Sequence, residues 1–268
     1  MKFACYTLGC KVNQYETQAM EQLLVQSGHT LGSFDEICDG YIINTCTVTA
    51  VSDKKSRNAI RRVRKLNPAA AVGVCGCYAQ SSPDEIRKLD VDVLIGTDGR
   101  EAFVRHMIEA AATRQKWERV DDAGQPRAFE ILPAGGLAAR TRALLKVEDG
   151  CNNFCTYCII PYARGPVRSL PLATAVAQTE QLRQEGYREL VLTGIETPAG
   201  AMTSRTAPVS LTFWRPSAQR RAICACGWAA WSPAPSPKIS AAGLQGFPTC
   251  VLTSTCRCSP AATIPSGA

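Results

Sequence analysis

The chain has 268 residues, which is enough for one large domain or two ordinary ones. Its formal net charge of +7 is uneven, because residues 201–268 hold six basic residues and no acidic one. The first 200 residues hold 24 basic and 23 acidic groups and are close to neutral. No apolar run approaches the ~18 residues of a membrane span, and the first residues lack the apolar core of a signal peptide. We therefore expect a cytoplasmic protein without membrane association.

The first part of the chain alternates predicted strands and helices. Apolar runs rich in β-branched residues predict strands, and apolar residues at helical spacing predict helices. In chain order these are a strand at 2–9, a helix at 14–27, a strand at 41–46, a helix at 52–67, strands at 70–79 and 91–96, and a helix at 100–113. Ser52 or Asp53 is the expected N-cap of the second helix. The rhythm predicts an α/β domain over residues 1–113, an open parallel sheet of Rossmann or flavodoxin-like type.

A second α/β unit is predicted after a linker. Residues 114–140 contain several Gly and Pro residues, which is typical of a linker. A strand at 143–150, a helix at 169–186 and a strand at 189–196 follow. After Glu196 neither the strand nor the helix period is sustained, and we expect residues 197–268 to be disordered.

The 14 cysteines favour ligation of a metal or a cluster. In a short secreted chain they would indicate disulfides, but this chain is long and lacks an export signal. The sequence "DGCNNFCTYCIIPYARG" at 149–165 places Cys151, Cys155 and Cys158 in one short loop. Three thiolates on a four-iron cluster leave one iron for the amino and carboxylate groups of S-adenosylmethionine. A zinc site or a set of buried thiols is the alternative, although zinc takes four ligands and neither histidine is near in sequence.

A second set of cysteines lies in the first domain. Cys10, Cys46 and Cys77 sit at the ends of three different predicted strands. The carboxyl ends of parallel strands share one edge, and adjacent strands are about 4.8 Å apart, so these thiols can converge over about 10 Å. The alternative is that they are unrelated core thiols, as we expect of the other early cysteines, Cys5, Cys38 and Cys75.

"CNNFCTYC" followed by "IIPYARGPVRS" resembles the radical-SAM methylthiotransferases, and so do "YTLGCKVNQYET", "NTCTVT" and "GCYAQ". The resemblance covers about residues 1–195. It implies S-adenosylmethionine as cofactor together with two 4Fe–4S clusters, one catalytic and one auxiliary for sulfur insertion. The implied ligands are Cys151, Cys155 and Cys158 for the catalytic cluster, and Cys10, Cys46 and Cys77 for the auxiliary one. Residues 141–196 would then begin a radical-SAM (β/α) barrel.

"TLGCKVNQYET" together with "SDKKSR" most resembles the branch that acts on N6-threonylcarbamoyladenosine at position 37 of tRNA. The implied reaction adds a methylthio group to C2 of that base. Two sister branches share the cysteine pattern and are alternatives: one acts on isopentenyladenosine in tRNA, the other on an aspartate of a ribosomal protein. A non-catalytic iron–sulfur or RNA-binding fragment is a further alternative. The implied partners are tRNA and an electron donor of flavodoxin or ferredoxin type, and we expect a monomer.

Several other residues are candidates for substrate contact. The basic face of the helix at 52–67 can meet RNA phosphates, although a solvated face is the alternative. This face consists of Lys54, Arg57, Arg61 and Arg64. The resemblance implies that Tyr157 packs near the adenine of S-adenosylmethionine and that Thr193 and Gly194 approach the same cofactor. Four arginines that flank the radical-SAM loop are candidates for RNA or cofactor contact: Arg140, Arg142, Arg164 and Arg168.

After "LVLTGI" the chain departs from the resembling family, whose members complete the barrel and end in a small RNA-binding domain. One βα unit and a second strand cannot close a barrel. We therefore expect a truncated barrel at 141–196, an aberrant or disordered tail at 197–268, and an inactive product. The loss of acidic residues where the periodicity ends also predicts a shift of reading frame near Glu196.

Overall fold

The computed structural model describes residues 1–135, 142–187 and 189–196, together with the backbone of 223–226. The first α/β unit consists of β1 (Lys2–Thr7), α1 (Lys11–Gln26), β2 (Thr30–Leu31), β3 (Gly40–Thr45), α2 (Ala50–Leu66), β4 (Ala71–Gly76), α3 (Cys77–Ser81), α4 (Pro83–Arg87), β5 (Val93–Ile95), α5 (Arg100–Thr113) and β6 (Trp117–Arg119). The second consists of β7 (Arg142–Lys146), β8 (Glu148–Asp149), α6 (Ile160–Arg164), β9 (Arg168–Ser169), α7 (Leu172–Gln184), β10 (Glu189–Thr193) and β11 (Ile223–Cys226). Among the described helices, none is long and apolar enough to cross a membrane.

The first unit is a six-stranded, all-parallel open sheet with the order β2-β1-β3-β4-β5-β6. Successive residues of a strand point to opposite faces. Ile42 of β3 accordingly packs with α1 and α5, whereas Ile43 packs with Ile60 and Val63 of α2. Helices therefore cover both faces of the sheet, and the predicted open parallel α/β fold is confirmed.

Three details of the first unit differ from the sequence prediction. The short edge strands β2 and β6 were not predicted, and β6 lies inside the predicted linker, where Trp117 stacks on His106 with ring centroids 4.1 Å apart. The helix α2 begins at Ala50, and its N-cap is Thr49, whose side chain accepts from the Ser52 backbone N–H at 3.2 Å. The predicted strand at 70–79 ends at Gly76, because Cys77 begins a helix.

The second unit is built on a smaller parallel sheet. Its parallel sheet has the order β11-β10-β7, and β8 and β9 form an antiparallel pair. The short strand β11 lies in the segment that we predicted to be disordered, and its pairing gives the edge of β10 a partner. The rest of the predicted tail and the proposed change of frame lie outside the described residues. The domain boundaries inferred from the sequence stay predictions.

Candidate functional site

The three early cysteines lie at the carboxyl ends of three adjacent strands. Cys10 follows β1 and is the N-cap of α1, Cys46 follows β3, and Cys77 comes directly after β4. Because β1, β3 and β4 are neighbours in a parallel sheet, the three residues belong to one edge. This is the edge at which the sequence predicted a second cysteine set.

Two glycines let the cysteine segments approach one another closely. Gly9 (φ +100°) and Gly76 (φ +98°) have a left-handed backbone that residues with a side chain rarely adopt. A Cβ on Gly9 would lie 2.8 Å from the Cys46 sulfur, and a Cβ on Gly76 would lie 2.8 Å from the backbone nitrogen of Thr45. Since each glycine directly precedes a cysteine, the first and third cysteine segments both pack against the segment of the second.

Buried polar side chains tie these segments together. The Asn13 amide donates to the carbonyl oxygens of Leu8 at 2.7 Å and Thr45 at 2.9 Å, which joins the loop before Cys10 to the end of β3. The Thr45 hydroxyl donates in turn to the Cys75 carbonyl at 2.6 Å, which joins β3 to β4. The relative placement of the strand ends is therefore set by hydrogen bonds as well as by packing.

The early thiols are held in an environment that opposes ionisation. Burial raises the pKa of Cys10, Cys46 and Cys77. The guanidinium of Arg164 acts in the opposite direction on Cys10 and Cys77. Thiols bind metals and clusters as thiolates, so this neighbouring cation favours the form that can act as a ligand.

The radical-SAM cysteine loop connects β8 to α6. Cys155 is exposed, and Cys151 and Cys158 are partly buried. Backbone bonds fix the loop: the Cys151 N–H donates to the Gly165 carbonyl at 3.0 Å, and the Cys158 N–H to the Cys155 carbonyl at 2.9 Å. The Cys151 thiol donates to the Glu196 carboxylate at 3.2 Å, and burial is the main cause that raises the pKa of Cys151 to about 12.

The two cysteine sets meet at one small apolar cluster. Its buried part consists of Val12 from α1, Ile160 from α6 and Ile195 from the loop after β10. Cysteines of both sets pack against it, namely Cys10, Cys151 and Cys158. Residues that are far apart in the chain are thus brought to the same place, and the two candidate cluster sites are neighbours.

A set of buried ion pairs, the buried ion cluster, joins the two α/β units. It consists of two carboxylates, Glu16 and Asp149, and four cations, Arg100, Lys146, Arg164 and Arg168. The pairs are Glu16 with Arg100 (2.8 Å), Lys146 (3.0 Å) and Arg164 (2.9 Å), and Asp149 with Lys146 (3.3 Å), Arg164 (2.9 Å) and Arg168 (2.9 Å). Burial by itself would raise the pKa of both carboxyl groups, but the cations outweigh it and hold each pKa well below its usual range.

The buried ion cluster overturns one expectation. Arg164 and Arg168 were candidates for contact with RNA or S-adenosylmethionine, but their side chains are 0% and 7% exposed and pair with Asp149. Sequence proximity to the cysteine loop did not reveal this burial. Arg142 is largely exposed and pairs with Glu189 at 2.8 Å. Arg140 lies outside the described residues.

The cofactor candidates of the loop and of β10 differ in exposure. Tyr157 is 71% exposed. Thr193 is buried at the carboxyl end of β10, where its carbonyl accepts from the Val147 N–H at 2.9 Å, and the half-buried Gly194 follows it. The carboxyl ends of parallel strands are where ligands bind in α/β folds, but what these three residues bind stays a prediction.

The basic residues of α2 differ in their exposure and in their partners. Lys54 and Arg61 are exposed, and neither has an ion pair within the described part of the chain. Arg57 is half-buried. Arg64 has a side chain that is only 17% exposed and donates to Asp92 at 2.6 Å, so it joins α2 to the sheet and is engaged within the protein.

The residues present fit iron–sulfur clusters by their donor chemistry. Each set offers three thiols. In the described ranges, no three His, Cys, Asp or Glu side chains are arranged to hold a single metal ion. A cluster is larger than one ion and spreads its ligands further apart. Arg164 Nε is a buried donor without a hydrogen-bond partner among the described residues, and an anionic group held by Cys10 and Cys77 would supply one.

Two family models and a solved structure are similar to parts of the chain. A family model described as "Uncharacterized protein family UPF0004" matches residues 2–96, and the model of the Radical SAM superfamily matches residues 145–205. A solved structure of the radical S-adenosylmethionine methyltransferase TsrM from Kitasatospora setae covers 74% of the chain and 49% of its own, at 14% identity and a TM-score of 0.48. The cysteine loop lies inside the second match, so residues 145–205 are similar to part of the Radical SAM superfamily.

The chain is also similar to named methylthiotransferases. The threonylcarbamoyladenosine tRNA methylthiotransferase MtaB of Bacillus subtilis is 47% identical over 195 residues, which are 72% of this chain and 43% of the relative. The protein of the same name from Aquifex aeolicus is 40% identical over 197 residues, 73% of this chain and 48% of the relative. The chain is therefore a homologue of the MtaB-type radical-SAM methylthiotransferases. It spans less than half the length of these two relatives.

Sequence reasoning missed the buried polar residues around the cysteines. Asn13 and Glu16 lie in "KVNQYE", one turn apart on the buried side of α1, and both are fully buried. Their spacing of three residues was a usable signal, because polar residues on the inner face of a helix require partners. The identity of those partners was not readable, since Arg164 and Lys146 lie more than 100 positions away in the chain.

Proposed function

We propose that the described part of the chain, which holds both cysteine sets, belongs to a transferase. This transferase adds a methylthio group to C2 of N6-threonylcarbamoyladenosine at position 37 of tRNA. The observation that carries the proposal is the meeting of the two cysteine sets at Val12, Ile160 and Ile195. Sulfur insertion requires the sulfur-bearing site to be close to the site where the substrate is activated. Two reacting groups that are held together in one site react faster than groups that must first meet by diffusion. The names of the relatives, threonylcarbamoyladenosine tRNA methylthiotransferases, supply the substrate class.

In this proposal the residues have the following roles. Cys151, Cys155 and Cys158 hold the catalytic 4Fe–4S cluster, and Cys10, Cys46 and Cys77 hold the auxiliary one. When bound, the clusters and S-adenosylmethionine supply the radical and sulfur chemistry. The apolar residues between the two sets exclude water from the space between them, which limits side reactions. Tyr157, Thr193 and Gly194 line the approach of S-adenosylmethionine in this proposal.

The exposed basic face of α2 is the part of this chain that we assign to RNA. Lys54 and Arg61 carry charges that no described side chain neutralises, and Arg57 is their neighbour on the helix. The helix begins four residues after Cys46, so its first turns lie near the auxiliary site. Phosphate contact there would bring a tRNA loop toward the cysteines. Arg64 is left out of this face, because it is bonded to Asp92.

A chimera tests the proposed function. Residues 1–196 of this chain replace the matching part of the Bacillus subtilis relative, and the product is expressed in a host that lacks the modification. Mass analysis of tRNA nucleosides is expected to show threonylcarbamoyladenosine heavier by one methylthio group. The matched controls, Cys77→Ala and Cys155→Ala in the same chimera, are expected to abolish that product.

Other outcomes separate the alternatives. A methylthio group on isopentenyladenosine, or on a ribosomal-protein aspartate found by peptide mass, would reassign the substrate. A chimera that holds about eight irons per chain but modifies nothing would leave only a non-catalytic iron–sulfur protein.

A further inference from the structure

The buried ion cluster carries more positive than negative charge. Four cations contact two carboxylates. Glu130, whose carboxylate accepts from the Arg100 backbone N–H, is a third carboxylate beside the cluster, and the four cations still outnumber the carboxylates. Uncompensated buried charge is costly, so an excess of cations is expected where a further anion binds nearby.

Arg164 is the cation of this cluster that reaches the early cysteines. Its Nη2 donates to Asn13 Oδ1 at 2.6 Å, and the Cys10 sulfur lies 4.0 Å from that same oxygen. Its Nε has no hydrogen-bond partner among the described residues, although the side chain is fully buried. The helix that Arg164 ends, α6, packs against α3, which begins at Cys77.

The position of Arg164 in the chain makes this contact unusual. It ends α6, the short helix that follows the radical-SAM cysteine loop. The Cys10 and Asn13 side chains that it approaches belong instead to the first unit, at the start of α1. The Arg164 side chain therefore connects the radical-SAM cysteine loop to the early cysteines.

We propose that Arg164 is a positioning residue of the auxiliary cluster. It presents a buried positive charge to Cys10 and Cys77, and it fixes Asn13, which ties the loops of Cys10 and Cys46 together. The inference rests on the proposed function, because it requires an auxiliary cluster at the early cysteines.

A cation at this position has a measurable consequence. Reduction adds negative charge to a cluster, and a fixed positive charge nearby stabilises the reduced form. Arg164 therefore raises the reduction potential of the auxiliary cluster. A purely structural role in the buried ion cluster would change the stability of the protein without changing this potential.

The test uses the full 268-residue chain with only one cluster present. Cys151, Cys155 and Cys158 are all replaced by Ala, and the chain is reconstituted without oxygen from iron and sulfide. The midpoint potential of the remaining cluster is measured by redox titration followed by electron paramagnetic resonance. The native arginine is compared with Arg164→Gln, which removes the charge, and Arg164→Lys, which keeps it.

We expect Arg164→Gln to shift the midpoint potential downward. Arg164→Lys keeps the charge and is expected to keep most of the native potential. Arg168→Gln is the matched control, because Arg168 pairs with the same carboxylate of Asp149 at 2.9 Å but belongs to β9 and bonds to the carbonyls of Arg164 and Pro166. It is expected to lower thermal stability to a similar extent and to leave the potential unchanged.

Two results would overturn the inference alone: an Arg164→Gln chain that keeps its iron and its potential, or an equal shift in Arg168→Gln. If Arg164→Gln does not fold, the comparison is repeated between Asp149→Asn and the double variant Asp149→Asn with Arg164→Gln, where the downward shift is again expected. A chain with native Arg164 that binds no cluster after loss of the three loop cysteines would overturn the proposed auxiliary site itself. That failure is seen before any arginine is changed. Failure of the auxiliary site is therefore distinguishable from failure of the inference about Arg164.

Discussion

Gly9 packs directly against Cys46: a Cβ on Gly9 would lie 2.7 Å from the Cys46 Cβ and 2.8 Å from its sulfur. The two residues follow different strands, and Cys10 is the next residue after Gly9. The absence of a side chain at Gly9 thus brings two of the three candidate ligands of the auxiliary cluster together.

Gly9→Ala is expected to displace Cys46 and to lower the iron content of the reconstituted chain by about four irons, from about eight. The left-handed backbone at this position adds a destabilisation of about 1–2 kcal/mol. Iron and sulfide counting after anaerobic reconstitution measures the loss.

Gly28→Ala is the control for this change. Gly28 has a similar φ of +80°, but a Cβ there would meet nothing within 4 Å. The Gly28→Ala variant is expected to be destabilised by backbone strain but to keep its full iron content. Equal iron loss in both variants would contradict a specific role for the contact with Cys46.

Glu16→Gln is expected to lower the free energy of unfolding by about 3–5 kcal/mol, because it leaves buried cations without their carboxylate. Glu16 pairs with Arg100, Lys146 and Arg164 and is fully buried. Urea unfolding of the chain without clusters measures the change. Glu36→Gln is the control: it removes the surface pair with Lys2, which solvent screens, and is expected to change stability little. Similar losses in both variants would count against the buried ion cluster as a major source of stability.

Glu148 is expected to make stability fall as the pH rises. Burial, and then the neighbouring Asp149, raise the pKa of Glu148 to about 8. The unfolded chain releases this proton near a pKa of about 4.3, so between these values the folded state binds more protons. Stability from this group is therefore complete below the lower pKa and is lost as the pH rises toward about 8.

Glu148→Gln tests this dependence. It keeps the acceptor for the Glu196 backbone N–H, which Glu148 Oε2 bonds at 2.6 Å, but it has no proton to lose. The difference in unfolding free energy between variant and native chain is expected to move in favour of the variant from pH 5 to pH 8. A difference that stays constant over this range would show that Glu148 does not titrate there.

Arg61→Glu is expected to weaken tRNA binding and to lower the slope of log K against log salt concentration by about one. Fluorescence anisotropy at several salt concentrations measures both. The matched control is Arg105→Glu, an exposed residue of α5 on the opposite face of the sheet, which is expected to leave the slope unchanged. An unchanged slope in Arg61→Glu would remove α2 from the proposed RNA surface.

Local patterns in the sequence were sufficient for the sheet and for the cysteine loop. The alternation of strands and helices predicted the parallel sheet, because the period of apolar residues is a property of a few consecutive positions. The loop cysteines lie within eight residues, so their grouping follows from chain connectivity. The edge strands β2 and β6 were missed, because two or three residues are too few to display a period.

The sequence by itself determined which cysteines sit together in the loop and which strands place the early cysteines at one sheet edge. Only the tertiary structure decided that both sets pack on Val12, Ile160 and Ile195, and that Arg164 is buried between the two units. Contacts between residues more than 100 positions apart leave no local period in the chain. They arise when two α/β units pack together and their buried charges must find partners.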